Sequence, residues 1–173
     1  FTVYTKASVP EMVDDEVHAF CEDEQGRLWM GTSRGVMWFK NGLWTRPTLG
    51  EGIDDKAVHS IWTDAATGSV LIGLNDRIYR YASGQITPYK IPGDVSLGKV
   101  VEIVRGAEGE LCLLGENFVR IDGDRVQLAA KDETLASGDI WACGRDEDNL
   151  YWLGTSRGLM MVQKDGTLQT FVP

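Results

Sequence analysis

Apolar residues fall into short runs separated by turn residues, and the runs follow one another in the same order four times along the chain. The first run of each copy is almost continuously apolar, which is typical of a strand covered on both faces. The second run ends at a glycine, and the third run is again apolar. The first runs begin at Val17, Val58, Val100 and Ile140, and the second runs end at Gly31, Gly73, Gly115 and Gly154. The pattern predicts strands throughout, because no helical periodicity competes with it.

A two-residue turn follows the third run in every copy. These turns are Asn41-Gly42, Ser83-Gly84, Asp122-Gly123 and Asp165-Gly166. Pairs of this kind between apolar runs are strong hairpin signals, because glycine and asparagine tolerate a positive φ. The fourth run is more polar than the others, as the outer strand of a sheet should be. Each copy therefore predicts a sheet of four antiparallel strands.

The four copies are internal repeats of about forty residues. Residues 31–35 return unchanged as residues 154–158, and the four glycines are 42, 42 and 39 residues apart. This period predicts an all-β fold of four β-propeller blades. The predicted domain is one segment, 1–173, with an orphan outer strand at 1–7 and blades at 14–48, 54–92, 97–130 and 137–173. Because this makes seventeen strands, the segment is expected to be part of a larger ring or to be closed by dimerisation.

Composition narrows the class of protein. Hydrophobic residues make up 43% of the chain and charged residues 25%, which is typical of a folded globular domain. No run approaches the roughly 20 apolar residues of a membrane helix, so no membrane contact is predicted within this segment. The net charge is −9 and the basic residues are scattered, which argues against nucleic acid as a partner. The three cysteines lie in apolar runs without metal-ligand spacing and are expected to pack as small hydrophobic residues.

Residues 21–39 and 144–162 resemble the two-component regulator propeller repeat, whose core reads Asp-x-x-Gly-x-Leu-Trp-x-Gly-Thr-x-x-Gly-Leu. The first copy matches at Asp23, Gly26, Leu28, Trp29, Gly31, Thr32 and Gly35, and the fourth at Asp146, Trp152, Gly154, Thr155, Gly158 and Leu159. The second and third copies retain Asp64, Gly68, Gly73, Gly109 and Gly115. The resemblance implies a periplasmic or otherwise extracytoplasmic sensor domain joined to a histidine kinase or a diguanylate cyclase. It carries no catalytic residue over to this chain.

The two histidines occupy the same position in neighbouring repeats. His18 follows Val17 and His59 follows Val58, so both rings are candidates for a shared ligand. The alternative is that both are packed between blades, since the other copies have Val101 and Trp141 there. No metal site is predicted, because two histidines lack a third ligand.

Carboxylates and arginines recur at the face where the fourth-to-first-strand loops open. Asp15, Asp55 and Asp139 precede first strands, and carboxylates there suit a cation or a hydroxyl-rich ligand. The alternative is that they merely face water at turns. The candidate arginines lie in the hairpins between second and third strands and are Arg34, Arg77 and Arg157. An arginine there suits an anionic or sugar ligand, or else it pairs with a neighbouring acid.

The sequence predicts a sensing or interaction domain of a bacterial signalling receptor, bound by an unknown small molecule, a saccharide or a partner protein. Six tryptophans, of which Trp44, Trp62 and Trp141 are least clearly in the core, favour the saccharide. No nucleophile or phosphate-binding motif is present, so no catalytic residue, enzyme activity or cofactor is predicted. The alternatives are a propeller enzyme of the Asp-box glycosidase or lyase type and a protein-interaction scaffold.

Overall fold

The computed structural model describes residues 1–48, 53, 55–93, 95, 97–106, 109, 111–115, 117–130, 140–163 and 166–171, with the backbone alone for 128–130. The described chain contains sixteen strands and no helix. The first eight are β1 (Val17–Glu22), β2 (Leu28–Thr32), β3 (Gly35–Lys40), β4 (Leu43–Thr45), β5 (Ser60–Asp64), β6 (Ser69–Gly73), β7 (Ile78–Ala82) and β8 (Gln85–Pro88). The others are β9 (Val100–Arg105), β10 (Leu111–Gly115), β11 (Phe118–Asp122), β12 (Arg125–Ala130), β13 (Ile140–Arg145), β14 (Tyr151–Thr155), β15 (Gly158–Val162) and β16 (Leu168–Phe171).

The strands form four separate sheets of four, each antiparallel and each in chain order. We call them blades 1 to 4: β1–β4, β5–β8, β9–β12 and β13–β16. This confirms the predicted fold class, an all-β chain of four-stranded propeller blades. Within the described residues, no helix has the length and apolarity that crossing a membrane requires.

The chain divides into two compact units, Phe1–Tyr89 and Lys90–Pro173. Blades 1 and 2 belong to unit 1, and blades 3 and 4 belong to unit 2. The prediction that all four blades make one propeller segment stays a prediction. The start of the chain differs from expectation, because residues 1–5 form no strand and pair with none of the described strands. Instead, the ring of Tyr4 packs 5.2 Å from that of Trp44.

Arg27 connects the two blades of unit 1 in their shared core. It forms an ion pair with Asp23 within blade 1 and a hydrogen bond to Tyr81 of blade 2. Asp23 accepts hydrogen bonds from Trp29 Nε1 at 2.7 Å and Arg27 Nε at 2.6 Å. Arg27 also donates to the hydroxyl of Tyr81 in blade 2, and its guanidinium lies 4.9–5.2 Å from the ring centres of Trp29, Trp38 and Tyr81. The Asp and Trp positions of the repeat motif are therefore packing positions.

Electrostatics reflect that arrangement. Burial acts to raise the pKa of the Asp23 carboxyl, but hydrogen bonds from Trp29 and Arg27 outweigh it and hold the pKa below its usual value. Blade 4 repeats the first of these contacts, since Trp152 Nε1 donates to Asp146 Oδ2 at 2.6 Å.

Unit 2 has its own apolar core with aromatic residues at its centre. The rings of Phe118 and Tyr151 meet edge to face at 5.0 Å, and the Tyr151 hydroxyl lies 3.1 Å from Cys112 Sγ. All three cysteines are free thiols, with Cys112 buried and Cys21 and Cys143 half-buried. They pack as the sequence predicts, as small apolar side chains.

Candidate functional site

A β-bulge at the start of the first strand turns one side chain away from the regular pleat. In blade 1 the register shifts between Val17 and Ala19, which leaves His18 as the extra residue, and in blade 4 the same shift leaves Trp141. Bulges commonly re-aim a side chain beside a binding site. In blade 2, His59 lies one residue before β5, and its backbone N–H donates to Gly73 O at 3.0 Å. The backbone thus sets one side chain apart at this point of the repeat.

The structure brings the two histidines together. Their ring centres are 5.5 Å apart and the rings are tilted by 42°. His18 Nε2 lies 2.7 Å from Ser33 Oγ, and His59 Nε2 lies 2.8 Å from Asn75 Oδ1. Each histidine is therefore held by a polar residue of the hairpin that follows the second strand of its own blade.

Glu16 is linked to His18 through Ser33. The Ser33 hydroxyl donates to Glu16 Oε2 at 2.7 Å, so Ser33 lies between a carboxylate and an imidazole. Since the hydroxyl has a single proton, Ser33 accepts from His18 rather than donating to it. In this arrangement the Ser33 proton points to the carboxylate and not to His18.

Arg34 and Asp55 form an ion pair between the blade 1 hairpin and the loop that enters blade 2. Arg34 Nη2 lies 3.3 Å from Asp55 Oδ1, and the side chains are 55% and 65% exposed. An exposed pair of this kind contributes little to stability. Asp55 also has a positive φ of 58°, a conformation that non-glycine residues rarely adopt. Both charges are available to a ligand at the rim.

A cavity of about 330 Å³ opens beside His59 in unit 1. It is lined by Lys56, Ala57, Leu74, Asn75, Asp76, Arg77 and Tyr79. Its size is at the lower end of the range for small-molecule sites. Lys56, Asn75 and Arg77 offer hydrogen-bond donors, and Leu74 and Tyr79 are buried apolar surface. We call this cavity, together with the His18–His59 pair and the Arg34–Asp55 pair, the rim site.

The sequence-predicted residues are distributed unequally. The structure brings His18 to His59 and Arg34 to Asp55, and it places Arg77 in the cavity lining. The remaining three are elsewhere or not described. Asp15 accepts a hydrogen bond from the backbone of Lys6 at 2.6 Å, Arg157 is an exposed residue of unit 2, and Asp139 lies outside the described residues.

The sequence reasoning missed Ser33, Asn75, Glu16 and Lys56. For Ser33 and Asn75 a signal exists, because each comes two residues after the glycine that ends the second strand of its repeat. A polar residue at one fixed offset marks the hairpin tip in neighbouring blades. Glu16 has a counterpart in Asp139, which likewise comes one residue before its first strand. Lys56 carries no comparable signal, because the repeat does not return it.

Raised pKa values occur at Cys143 and Glu102 in unit 2 and at Cys21 in unit 1, and burial is the largest cause at each. Burial, followed by the charges of Glu102 and Cys112, raises the pKa of the Cys143 thiol to about 12. Burial also raises the pKa of the Glu102 carboxyl. A thiol with a raised pKa is an inert packing residue rather than a nucleophile. None of these groups lines the cavity, and no set of three or more His, Cys, Asp or Glu side chains within the described ranges could hold a metal ion.

Residues 11–34 match the model of the two component regulator propeller family, which confirms the resemblance. The match covers β1, β2 and the hairpin tip with Ser33 and Arg34. No curated protein matches the chain in sequence.

Solved structures with a similar fold include extracellular domains of proteins described as one- or two-component systems, and an enzyme. The extracellular domain of a protein from B. thetaiotaomicron described as a one component system gives a TM-score of 0.71 at 19% identity, over 87% of this chain and 22% of its own. The extracellular domain of a protein from the same organism described as a hybrid two component system gives a TM-score of 0.71 at 15% identity, over 91% of this chain and 24% of its own. Virginiamycin B lyase from Staphylococcus aureus gives a TM-score of 0.68 at 18% identity, over 90% of this chain and 55% of its own. The chain thus spans about a quarter or less of the length of these two extracellular domains.

Proposed function

We propose that this chain is the ligand-binding part of an extracytoplasmic receptor in bacterial signal transduction. The observation that carries the proposal is the family match at residues 11–34, since the matched segment supplies one side of the rim site. The fold it shares with extracellular domains of one- and two-component systems supports the same conclusion.

The ligand we propose for the cavity is a small saccharide that carries a carboxylate. Arg77 and Lys56 supply two positive charges against the single negative charge of Asp76, whose Oδ2 lies 3.5 Å from Arg77 Nε. The guanidinium of arginine suits a carboxylate through two parallel hydrogen bonds. Asn75 supplies an amide that can bind a hydroxyl group. The buried ring of Tyr79 and the side chain of Leu74 offer the apolar surface against which the carbon face of a sugar packs.

A charged and a neutral sugar of the same skeleton test this ligand class. D-glucuronate is expected to raise the melting temperature and to bind in isothermal titration calorimetry, whereas D-glucose is expected to bind more weakly because it brings no carboxylate to Arg77 and Lys56. Arg77→Ala should weaken glucuronate binding by about tenfold or more, as the loss of a charged hydrogen bond does.

Arg80→Ala is the matched control. Arg80 is an exposed arginine of β7 in the same blade and does not line the cavity. It changes the net charge by the same amount and should leave binding unchanged. Equal weakening by the two variants, or equal binding of the two sugars, would refute the carboxylate contact.

The enzyme alternative has less support. A glycosidase needs two carboxyl groups set about 5–10 Å apart across the bond that is cleaved, and among the described residues that line the cavity Asp76 is the single carboxylate. The fold is shared with a lyase as well as with sensor domains, so fold alone does not decide between them. The chemistry of the cavity lining favours binding.

The interaction alternative rests on a different surface. Phe20 is 73% exposed on β1, and Leu28 on β2 is 38% exposed beside it. Ala19 and Cys21 alternate with Phe20 and pack on the core shared with blade 2, so Phe20 points to the opposite side of the sheet. We propose that this face packs against a further blade, supplied by the same protein or by a second copy.

A further inference from the structure

The packing of blade 2 on blade 1 shows how one blade of this chain covers another. Trp29 and Val36 of blade 1 are fully buried in a core shared with blade 2. Val58, which begins the first apolar run of blade 2, lies so close to Gly31 that a Cβ on this glycine would be 2.6 Å from Val58 Cγ1. A glycine on one blade and a valine on the next therefore let the two sheets approach closely.

Blade 4 has the same surface, but it is open. Gly154 pairs with Leu159 across β14 and β15, as Gly31 pairs with Val36 across β2 and β3. Leu159 is 43% exposed, whereas Val36 is fully buried. A Cβ on Gly154 would meet Ala142 of its own blade at 3.8 Å. Among the residues that the structure describes, none lies over Gly154 as the valine of blade 2 lies over Gly31.

The exposed apolar surface of blade 4 extends on both sides of Leu159. Phe171 pairs with Leu159 and is 40% exposed, and its ring stacks on that of Trp152 at 5.6 Å. Trp152 is half-buried, whereas Trp29, the tryptophan at the same position of blade 1, is fully buried. We call Trp152, Gly154, Leu159 and Phe171 the blade 4 face. It is the surface that a neighbouring blade covers in unit 1.

Blade 1 exposes the opposite half of such a contact. Three apolar residues of blade 2 are buried in the core shared with blade 1, namely Val58, Ile61 and Val70. The residues at the same positions of blade 1 are exposed, and we call them the blade 1 face: Val17, Phe20 and Leu28. The middle of this side is covered, because apolar residues within 9–13 pack with Met30 and Met37. The blade 1 face is left without a covering blade among the described residues.

The two faces are the halves of a contact that the chain makes once, between blades 1 and 2. We propose that the blade 1 face of one copy of this chain binds the blade 4 face of a second copy, with Val17 over Gly154 as Val58 lies over Gly31. This names the partner of the exposed face of blade 1 and rests on the proposal made for that face above. Because two different surfaces meet, the contact can close two copies into a ring or continue along a series of copies.

Apolar burial is the driving force for this contact. Clustered large apolar side chains on a surface mark an interaction site. Repeats that precede or follow these four in a longer protein would present similar faces and compete with the second copy. The contact is therefore measured on the 173-residue chain itself.

Sedimentation velocity over a range of concentrations tests the contact. The wild-type chain is expected to sediment as dimers or larger species as its concentration rises. Leu159→Ser should weaken this association by about tenfold or more, as truncation of a central interface side chain does. Leu43→Ser is the matched control, because Leu43 is an exposed leucine of β4 that belongs to neither face. The control should associate like the wild type, and circular dichroism verifies that both variants fold.

Gly154→Ala separates docking from folding. The added Cβ has room within blade 4, so the variant should melt no lower than the wild type in dilute solution. The same Cβ occupies the place proposed for Val17 of the second copy, so association should be weaker. Unchanged association of this variant would overturn the placement of Val17 over Gly154.

A mixture of two variants decides whether different faces meet. Phe20→Ser and Leu159→Ser each alter one face and keep the other intact. Each variant alone should associate poorly, whereas an equimolar mixture should form a complex with one copy of each, because the two intact faces are complementary. If identical faces met instead, one of the two variants would still associate by itself and mixing would form no new complex.

That result would overturn the pairing of the two faces and leave the blade 1 face as an interaction surface. A wild-type chain that stays monomeric up to about millimolar concentration, or equal effects of Leu159→Ser and Leu43→Ser, would also overturn the pairing. None of these measurements uses a ligand, so their failure leaves the proposed ligand-binding function standing.

Discussion

Two glycines at the same position of the repeat differ in what surrounds them, and this difference gives the sharpest stability prediction. Gly31 and Gly154 each begin an identical five-residue sequence, and from sequence alone a side chain at either should unfold its blade. A Cβ built on Gly31 would lie 2.6 Å from Val58 Cγ1 and 3.0 Å from the Val58 carbonyl oxygen. A Cβ on Gly154 would meet Ala142 at 3.8 Å, an ordinary contact.

Val58 has little freedom to move away. It is fully buried, and its backbone N–H donates to Thr32 O in the neighbouring blade at 2.9 Å. Overpacking of a site that cannot relax costs about 1–3 kcal/mol. A loss of about 2 kcal/mol would lower the melting temperature of a chain of this size by about 4–8 °C. Gly154→Ala should instead gain about 0.5–1 kcal/mol, since glycine within a strand costs that much relative to alanine.

Thermal and urea melts of Gly31→Ala and Gly154→Ala, followed by circular dichroism, check the difference. The double variant Gly31→Ala with Val58→Ala removes the nearest clashing atom and should be more stable than the two single changes predict together, with a coupling on the order of 1 kcal/mol. If Gly31→Ala melts like the wild type, or Gly154→Ala is destabilised as much, then the close approach of blade 2 to blade 1 is wrong.

Three further predictions concern single groups. Because its hydrogen bonds hold the pKa of Asp23 below the unfolded value, the stability it contributes is present above about pH 4 and is lost as the pH falls through the folded pKa; melts across this range should show a flatter pH dependence for Asp23→Asn. Cys143, with its pKa raised to about 12, should react with iodoacetamide at about pH 8 far more slowly in the native than in the unfolded chain, and equal rates by mass spectrometry would contradict its burial. Phe20→Ser should leave the fold intact and reduce self-association in sedimentation velocity if a second copy covers the exposed face of blade 1; an unchanged sedimentation profile would assign that face to a blade of the same protein.

The fold could be predicted because the spacing of a few residues indicates a repeat of four strands. The glycines that end the second strands and the two-residue turns recur at nearly fixed intervals, and each interval contains three apolar runs and a more polar fourth. The same spacing placed His18 and His59 at equivalent positions and so anticipated that their rings could converge. Trp29, at the tryptophan position of the repeat motif, is fully buried.

The details of the rim site could not be predicted, because they depend on contacts between repeats. Nothing in the sequence around Lys56 indicates that it lines a cavity, and nothing around Glu16 indicates that it reaches Ser33. The bulge that turns His18 outward is one extra residue in a strand, which no periodicity shows before the partner strand is known. The different surroundings of Gly31 and Gly154 likewise depend on which side chain packs over each.

We propose that this chain senses a ligand for a signalling receptor, and the gene on both sides of the segment that encodes it tests this function directly. Sequencing that reading frame is expected to show further repeats of about forty residues, then a membrane span and a kinase or cyclase domain. A frame that contains these four repeats alone, with neither a membrane span nor an output domain, would contradict the proposed receptor function.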